Sequence, residues 1–224
     1  MIKISCWNIR GLNAQMKQKE VMEAIRLHGI SFCALVETHV RSDVLSTTCN
    51  TVFGSWKWIS NSMHSAHGTR VVFAWDERRG DVMVIDSNAQ YMHCLLKIRG
   101  TLFPFYVTIV YGENSDVKRR ELWSGLRKAK VLMGNKPWIL MGDFNAMLFP
   151  HDGFGGSSRR NLSMDEFYNC VEDIEVFDAR YSGVHYTWTQ KPRGEVGILR
   201  KLDRIMVNTE FMDYFRNSVA SFQP

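Results

Sequence analysis

The stretch Ile139-Leu140-Met141-Gly142-Asp143-Phe144-Asn145 constrains this chain more than any other, because an apolar run stops at a carboxylate and an amide follows two positions on. After Lys136-Pro137-Trp138, such a run reads as a buried strand whose carboxyl end opens into a loop. Asp143 and Asn145 then fall on the same side of the strand exit, where an acceptor and a donor can together hold a phosphate, a water or a metal-bound oxygen. The same pair also suits an Asx-type turn, in which the side chains satisfy only local backbone groups.

Elsewhere strand-like and helix-like segments alternate, with no internal repeat and no low-complexity linker. Ile2 to Trp7 alternates as a strand. Gln18 to Leu27 has the apolar spacing of a helix, and Ser31 to Val36 is a short buried run that leaves Glu37 at its exit. Further strands are expected at Trp56 to Ile59, Arg70 to Trp75, Val82 to Ile85, Met92 to Ile98 and Phe105 to Val110, several of them spaced like hairpins. A helix is expected from about Val117 to Met133, and Ser163-Met164-Asp165-Glu166 reads as the capped start of another. The tail offers His185 to Thr189, Leu202 to Val207 and a short helix from Thr209 to Phe215. The pattern predicts one compact α/β domain over residues 1–224.

Polar residues recur where these runs stop: Asn8 after Cys6-Trp7, Glu37 after Leu35-Val36, Tyr111 after Ile109-Val110, and Asp143 with Asn145. Asp203 interrupts the apolar run from Leu199 to Val207 beside Arg200, Lys201 and Arg204, and a carboxylate inside a strand needs a partner or a task. The net charge of +5 over 224 residues is compatible with a polyanion partner, with basic clusters at Lys118-Arg119-Arg120, Arg127 to Lys130, Arg159-Arg160 and Arg200-Lys201. The five cysteines are odd in number, scattered and never in CxxC spacing, so neither a disulfide framework nor a zinc site is suggested. No run approaches a membrane span, and the start of the chain lacks the layout of a signal peptide, so an intracellular protein is expected.

Taken in order, Trp7-Asn8-Ile9-Arg10-Gly11-Leu12-Asn13, Val36-Glu37-Thr38, Val110-Tyr111-Gly112, Gly142-Asp143-Phe144-Asn145, Tyr186-Thr187-Trp188 and Leu202-Asp203-Arg204 resemble the ordered motifs of the endonuclease/exonuclease/phosphatase superfamily. The wording is similar to that of the apurinic-endonuclease-like domain of plant LINE-type retrotransposons, which lies upstream of a reverse transcriptase. The resemblance implies an α/β fold of four layers, α-β-β-α, with two packed mixed sheets flanked by helices and metal-dependent phosphodiester hydrolysis at one end. It implies Mg²⁺ or Mn²⁺ held by Glu37, with Asn8 orienting that metal or the scissile phosphate. It casts Asp143 as the group that positions or deprotonates the attacking water, Asn145 and Tyr111 as hydrogen-bonding partners of the phosphate, and Asp203 as a further catalytic carboxylate. Arg10, Thr187 and Trp188 become contacts to the nucleic acid, although Trp188 equally suits a core position in a strand. The implied partner is DNA, with no membrane, and the implied location is the nucleus if the substrate is chromosomal.

The sequence departs from the family pattern at one place. The family pairs the carboxylate at Asp203 with a histidine in a later Ser-Asp-His motif, and none of the seven histidines here follows Asp203. Loss of such a histidine costs about 10² to 10⁴ in rate, and the strand that follows the motif in the family is expected to be missing from this chain's sheet. Three readings are therefore open: a DNA-nicking endonuclease impaired by that loss, a catalytically dead nucleic-acid-binding remnant, and a phosphatase of a small phosphoester such as an inositol phosphate or a nucleotide.

Overall fold

In the computed structural model, which describes residues 2–65, 68–155, 159–190 and 197–223, the apolar runs become strands and the periodic segments become helices. The chain divides into two compact units, residues 1–111 and 112–224. The glycines of Gly155-Gly156-Ser157-Ser158 predict from sequence a mobile loop between His151 and Arg160, and residues 156–158 of it lie outside the described residues. Among the described residues no helix is long and apolar enough to cross a membrane.

The first unit opens with β1 (Ile4–Asn8), α1 (Gln15–His28) and β2 (Phe32–Val40), followed by α2 (Leu45–Phe53), β3 (Lys57–Ser60) and β4 (Thr69–Trp75). The strands form a sheet in the order β1-β2-β4-β3, in which only the β1·β2 pair is parallel. That pair is joined by α1, as a parallel connection requires. The helix ends at Gly29, whose left-handed φ of 60° lets the Ile30 N–H return to the Ile25 carbonyl at 3.0 Å. Helix α2 was not expected, since Leu45-Ser46-Thr47-Thr48-Cys49-Asn50-Thr51 is poor in helix formers. Packing decides it: Leu45, Cys49, Val52 and Phe53 recur at helical spacing and join Val21, Leu35, Val72 and Ala74 in one core cluster.

The first unit continues through β5 (Gly80–Ser87), β6 (Tyr91–Ile98) and β7 (Phe105–Tyr111), an antiparallel set with β6 in the middle. β7 packs against β2 and β4, which places the start of Glu37's segment and the end of Tyr111's strand in the same unit. Within this core His93 of β6 sits opposite Thr108 of β7, its Nδ1 2.7 Å from the threonine hydroxyl and its ring stacked 5.2 Å from that of Tyr106.

The second unit contains α3 (Asp116–Met133), β8 (Trp138–Asp143), β9 (Gly153–Phe154) and α4 (Leu162–Ile174), then β10 (Phe177–Asp178), β11 (Tyr181–Gly183) and β12 (Trp188–Gln190). It closes with β13 (Ile198–Arg200), β14 (Asp203–Val207), α5 (Thr209–Tyr214) and β15 (Ala220–Phe222). β14 lies antiparallel between β10 and β8, β13 lies between β12 and β9, and β15 runs parallel to β11. α3 and α4 pack together around a ring stack in which Phe167 lies 4.6 Å from Trp123 and 5.2 Å from Phe144. The start of α4 corrects the expectation at Ser163: the cap is Asn161, whose side chain accepts the Met164 N–H at 3.0 Å. Strand β12 begins only at Trp188, and the run from Leu199 to Val207 is broken between β13 and β14.

Arg204 of β14 organises the interior of this unit. Its guanidinium is fully buried and bonds the Asp152 carboxylate on one side and Asp178 Oδ2 at 2.6 Å on the other. Lys201 Nζ reaches the same Asp178 oxygen at 2.8 Å and sits 4.5 Å from the centre of the Tyr181 ring. Asp152 Oδ2 also accepts the Leu148 and Phe149 N–H groups at 2.9 and 2.8 Å. Lys201 and Arg204 are therefore not surface charge, as a basic cluster beside Asp203 implies, but interior cations neutralised in place.

All five cysteines are free, and burial pushes Cys33 up to about 11 and Cys49, Cys94 and Cys170 up to about 12, so these four stay as thiols at neutral pH. Two measurements check the account of the interior. Removing Arg204 leaves Asp152 as a buried, unneutralised carboxylate, so Arg204→Met should lower stability in urea denaturation by about 3 to 5 kcal/mol, with Asp152→Asn in the same chain recovering part of it. Burial lowers the His93 pKa from 6.5 to about 4, against the opposing charge of Asp86. The unfolded chain therefore takes up that proton first, and stability present above pH 6.5 is lost as pH falls towards about 4. Between pH 7 and pH 5 this loss should be about 2 kcal/mol. His93→Gln should flatten that part of the profile, and an unchanged slope in the variant would contradict the depressed pKa.

Candidate active site

In the first unit, Asn8 ends β1 directly opposite Val36, so the amide stands beside the residue that precedes Glu37 on the parallel neighbour. The chain beyond β1 stays attached: the N–H groups of Ile9, Gly11 and Leu12 donate to the carbonyls of Val36, Glu37 and Thr38 at 3.1, 2.8 and 2.8 Å. The turn this requires puts Arg10 at φ 50° and Gly11 at φ 99°, and Asn8 Oδ1 accepts the Arg10 N–H at 3.2 Å. Arg10 itself is exposed.

Glu37 does not stand at a strand exit, as the apolar run suggests, because β2 continues to Val40. It lies instead in a bulge. Val36 pairs with Val71 and Val40 with Thr69, so the segment from Glu37 to His39 faces Arg70 alone. Glu37 and His39 both take left-handed backbone, at φ 58° and 50°, a conformation that costs a non-glycine residue about 1 to 3 kcal/mol and persists only where the surroundings enforce it. Thr38 supplies part of that enforcement, its buried hydroxyl donating to the Thr69 carbonyl at 2.7 Å. The distortion turns the Glu37 carboxylate to a quarter-exposed position, 3.5 Å from the more exposed His39 Nε2. His39 is not a residue the sequence singled out. Tyr111 ends β7 with its N–H on the Gln90 carbonyl at 2.8 Å, and the Arg70 guanidinium lies 5.4 Å from the centre of its ring.

In the second unit, Asp143 and Asp203 sit directly opposite each other on β8 and β14. Two carboxylates in a cross-strand pair repel, so such an arrangement is destabilising unless cations, donors or a ligand offset it. Local hydrogen bonds hold the Asp143 carboxylate and the Asp203 backbone. Asp143 Oδ1 accepts the Asn145 N–H at 2.8 Å, so the Asx turn weighed from sequence is present in the structure. The turn puts Asn145 at φ 49° and sends its Nδ2 to the Gly112 carbonyl at 2.8 Å, while the Gly112 N–H returns to the Asp143 carbonyl at 2.7 Å. Gly112 has to be glycine for this close approach, since a Cβ there would lie 2.5 Å from the Phe144 carbonyl oxygen. Asp203 is held by Thr187, whose hydroxyl oxygen accepts the N–H groups of Leu202 and Asp203 at 3.1 and 3.0 Å.

The structure thus brings Asn8, Arg10 and Glu37 onto adjoining segments of the first unit, with Tyr111 beside Arg70, and brings Asp143, Asn145, Asp203 and Thr187 together in the second. Trp188, half-buried in β12, lines a cleft in that second unit along with Asn145. Arg119 lines the same cleft and is 4% exposed, so the middle member of Lys118-Arg119-Arg120 is an interior group and not part of a basic surface. Its burial drives its pKa down against the fields of Asp116, Glu166 and Asp143. Sequence reasoning missed the roles of Arg70, Arg119 and Asp152. Arg119 lies between Lys118 and Arg120, and Asp152 between His151 and Gly153, so neither carries a sequence signal of its burial.

Comparison with known proteins bears on the whole arrangement. No curated protein matches the chain. Among solved structures, the endonuclease domain of TRAS1, described as a telomere-specific non-LTR retrotransposon, is 12% identical with a TM-score of 0.70, covering 95% of this chain and 88% of its own. An endonuclease/exonuclease/phosphatase from Bacteroides vulgatus is 16% identical with a TM-score of 0.62, covering 91% of this chain and 85% of its own. TDP2 of D. rerio, complexed with a single-strand DNA product, is 14% identical with a TM-score of 0.58, covering 92% and 83%. Likenesses at this identity show the fold, a mixed α/β sandwich of the deoxyribonuclease-I-like kind. The profile of one family matches residues 6–216, nearly the full chain, and on that ground this protein belongs to the Endonuclease/Exonuclease/phosphatase family.

Proposed function

We propose that this chain is a metal-dependent phosphodiesterase that nicks DNA, as the endonuclease part of a LINE-type retrotransposon polyprotein. The reading rests above all on the opposed residues Asp143 and Asp203, the first with its carboxylate held by the Asn145 N–H and the second with its backbone N–H held by the Thr187 hydroxyl. Two carboxylates at paired positions on one face of a sheet are suited to bind a water or a protonated phosphate oxygen and to move a proton, the task of a general base in phosphoryl transfer. The retrotransposon setting is drawn from the likeness to the TRAS1 domain, and a DNA substrate from that protein and from the DNA-bound TDP2.

The donor set fits a hard divalent cation. Glu37 offers a partly exposed carboxylate and Asn8 an amide on the adjoining segment, both oxygen donors. Among the described residues no three His, Cys, Asp or Glu side chains converge into a cage. Mg²⁺ needs none, since it binds through one or two carboxylates and keeps water and substrate oxygens as its other ligands. When bound, such an ion supplies Lewis-acid stabilisation of the phosphoryl oxygens. The strained bulge fixes where the Glu37 carboxylate can stand, and the Asx turn fixes Asn8. Asp143 is the group proposed to orient the attacking water, with Asn145 and Tyr111 as donors to the phosphate and Arg10 and Trp188 as contacts to the strand.

A plasmid-nicking assay checks the reading. Nicking is expected in Mg²⁺ and not in EDTA, and Asp143→Asn and Glu37→Ala should each lower the rate by about 10² to 10⁴ while leaving thermal unfolding nearly unchanged. Salt-sensitive DNA binding with no metal-dependent nicking would identify a binding remnant instead, and turnover of a small phosphoester alone would identify a phosphatase.

A further inference from the structure

A buried amide in the first unit is committed to the backbone around two residues that stand next to each other, Arg70 and Tyr111. Asn61 is 1% exposed, and its side-chain oxygen accepts the N–H groups of Arg70 and Val71 at 3.2 and 2.8 Å. Its Nδ2 donates to the carbonyls of Asn88 and Ala89 at 2.9 and 3.3 Å, in the turn between β5 and β6. Asn88 Oδ1 accepts the N–H groups of Gln90 and Tyr91 at 2.8 and 3.1 Å, and the carbonyl of the buried Gln90 takes the Tyr111 N–H. The Asn61 amide thus makes all four of its hydrogen bonds, and through one turn they fasten the start of β4 to the end of β7.

Within that frame Arg70 is the β4 residue that faces the bulge holding Glu37 and His39, and it is half-buried. Its guanidinium lies 5.4 Å from the centre of the Tyr111 ring. Such a contact engages the cation through the ring face, whereas the N–H donors lie in the guanidinium plane and serve oxygen acceptors. That planar fork matches the paired oxygens of a phosphate, and a ring against it limits the directions it can take. A cation placed beside Tyr111, on the strand facing Glu37, adds positive charge where the charge of a phosphodiester would have to enter.

We infer that Arg70 is a substrate contact of this chain, pairing with the phosphate to which Tyr111 is proposed to donate. The inference rests on the reading of the chain as a DNA phosphodiesterase and adds to it a residue that grips the phosphate. Asn61 acts at one remove, as a positioning residue for Arg70 and Tyr111.

The salt dependence of DNA binding tests this role. Affinity for a short labelled duplex is measured by fluorescence anisotropy on the full chain in EDTA, where its logarithm falls with that of salt by about 0.9 for each phosphate neutralised. Arg70→Gln should lower that slope by about 0.9 and weaken binding about tenfold at low salt, while Arg70→Lys should keep the slope. Arg70→Met, which keeps an apolar stem for the Tyr111 ring, carries the same expectation as Arg70→Gln and serves if the glutamine variant does not fold. Arg26→Gln, at the end of α1 that leads to the start of β2, should leave the slope as it is. A cation that only packs on Tyr111 would alter thermal unfolding and not the slope. An unchanged slope in the folded glutamine or methionine variant overturns the inference, and so does a parent chain that does not bind DNA. Because the titration contains neither metal nor cleavage, its outcome is separate from the nicking assay. A chain in which Arg70→Gln lowers the slope but which never nicks refutes the nuclease reading alone, and one that nicks while the variant's slope is unchanged refutes the role of Arg70 alone.

Discussion

A guanidinium with no exposed surface has to be neutralised where it stands, and the second unit is built around meeting that demand for Arg204. Asp152 and Asp178 approach from different segments, one at the turn before β9 and the other at the end of β10, so the cation ties both to β14. Asp152 then captures two backbone N–H groups of the loop that follows Asn145, while its own carbonyl accepts the Lys201 N–H at 2.8 Å. The loop beyond the Asp143 turn and the approach to Asp203 are thus fastened to one buried charge. Such a network contributes less to stability than its short bonds suggest, because two cations and two carboxylates had to leave water. Its value lies in allowing few alternative arrangements of the chain around the carboxylates.

The same economy recurs around the residues proposed to act on substrate, at strand ends and in the β2 bulge, where the backbone takes conformations that ordinary strands avoid. Glu37, His39, Arg10 and Asn145 all adopt left-handed φ, and each lies beside a residue proposed to act on substrate or is one. The cost is offset by local bonds: the Thr38 hydroxyl across to β4, the Asn8 side chain to its own turn, and the reciprocal bonds between Gly112 and the Asp143 to Asn145 turn. For this reason the opposition between an Asx turn and a catalytic strand end dissolves. The turn is the device that fixes the carboxylate, since a rigidly held Asp143 is what a water-positioning role needs.

Arg119 links this local order to the cleft. By donating to the Glu113 and Asn114 carbonyls it shapes the segment that begins at Gly112, and through Ser163 it joins that segment to the start of α4. A lysine could supply the charge but not the fork of donors that reaches three acceptors on two segments.

The sequence by itself determined most strands, the long helices, the family, and the identity of the polar residues at the strand ends, because apolar periodicity and abrupt polar stops are written in consecutive residues. It could not yield α2, whose Ser-Thr-rich turn is helical only because Leu45, Cys49, Val52 and Phe53 have a core to enter. Nor could it show that Glu37 sits in a bulge, since a bulge is a mismatch between two strands and exists only once β4 pairs with β2. The fate of the charges was also out of reach. Lys118, Arg119 and Arg120 are indistinguishable in sequence, and so are Lys201 and Arg204 beside Asp203. Only the folded chain decided that Arg119, Lys201 and Arg204 are interior and the rest are not, because burial of a charge depends on partners brought from far along the chain, such as Asp152 and Ser163. The opposition of Asp143 to Asp203 is of the same kind: they stand sixty positions apart in the chain, and the register of β8 against β14 alone puts them face to face.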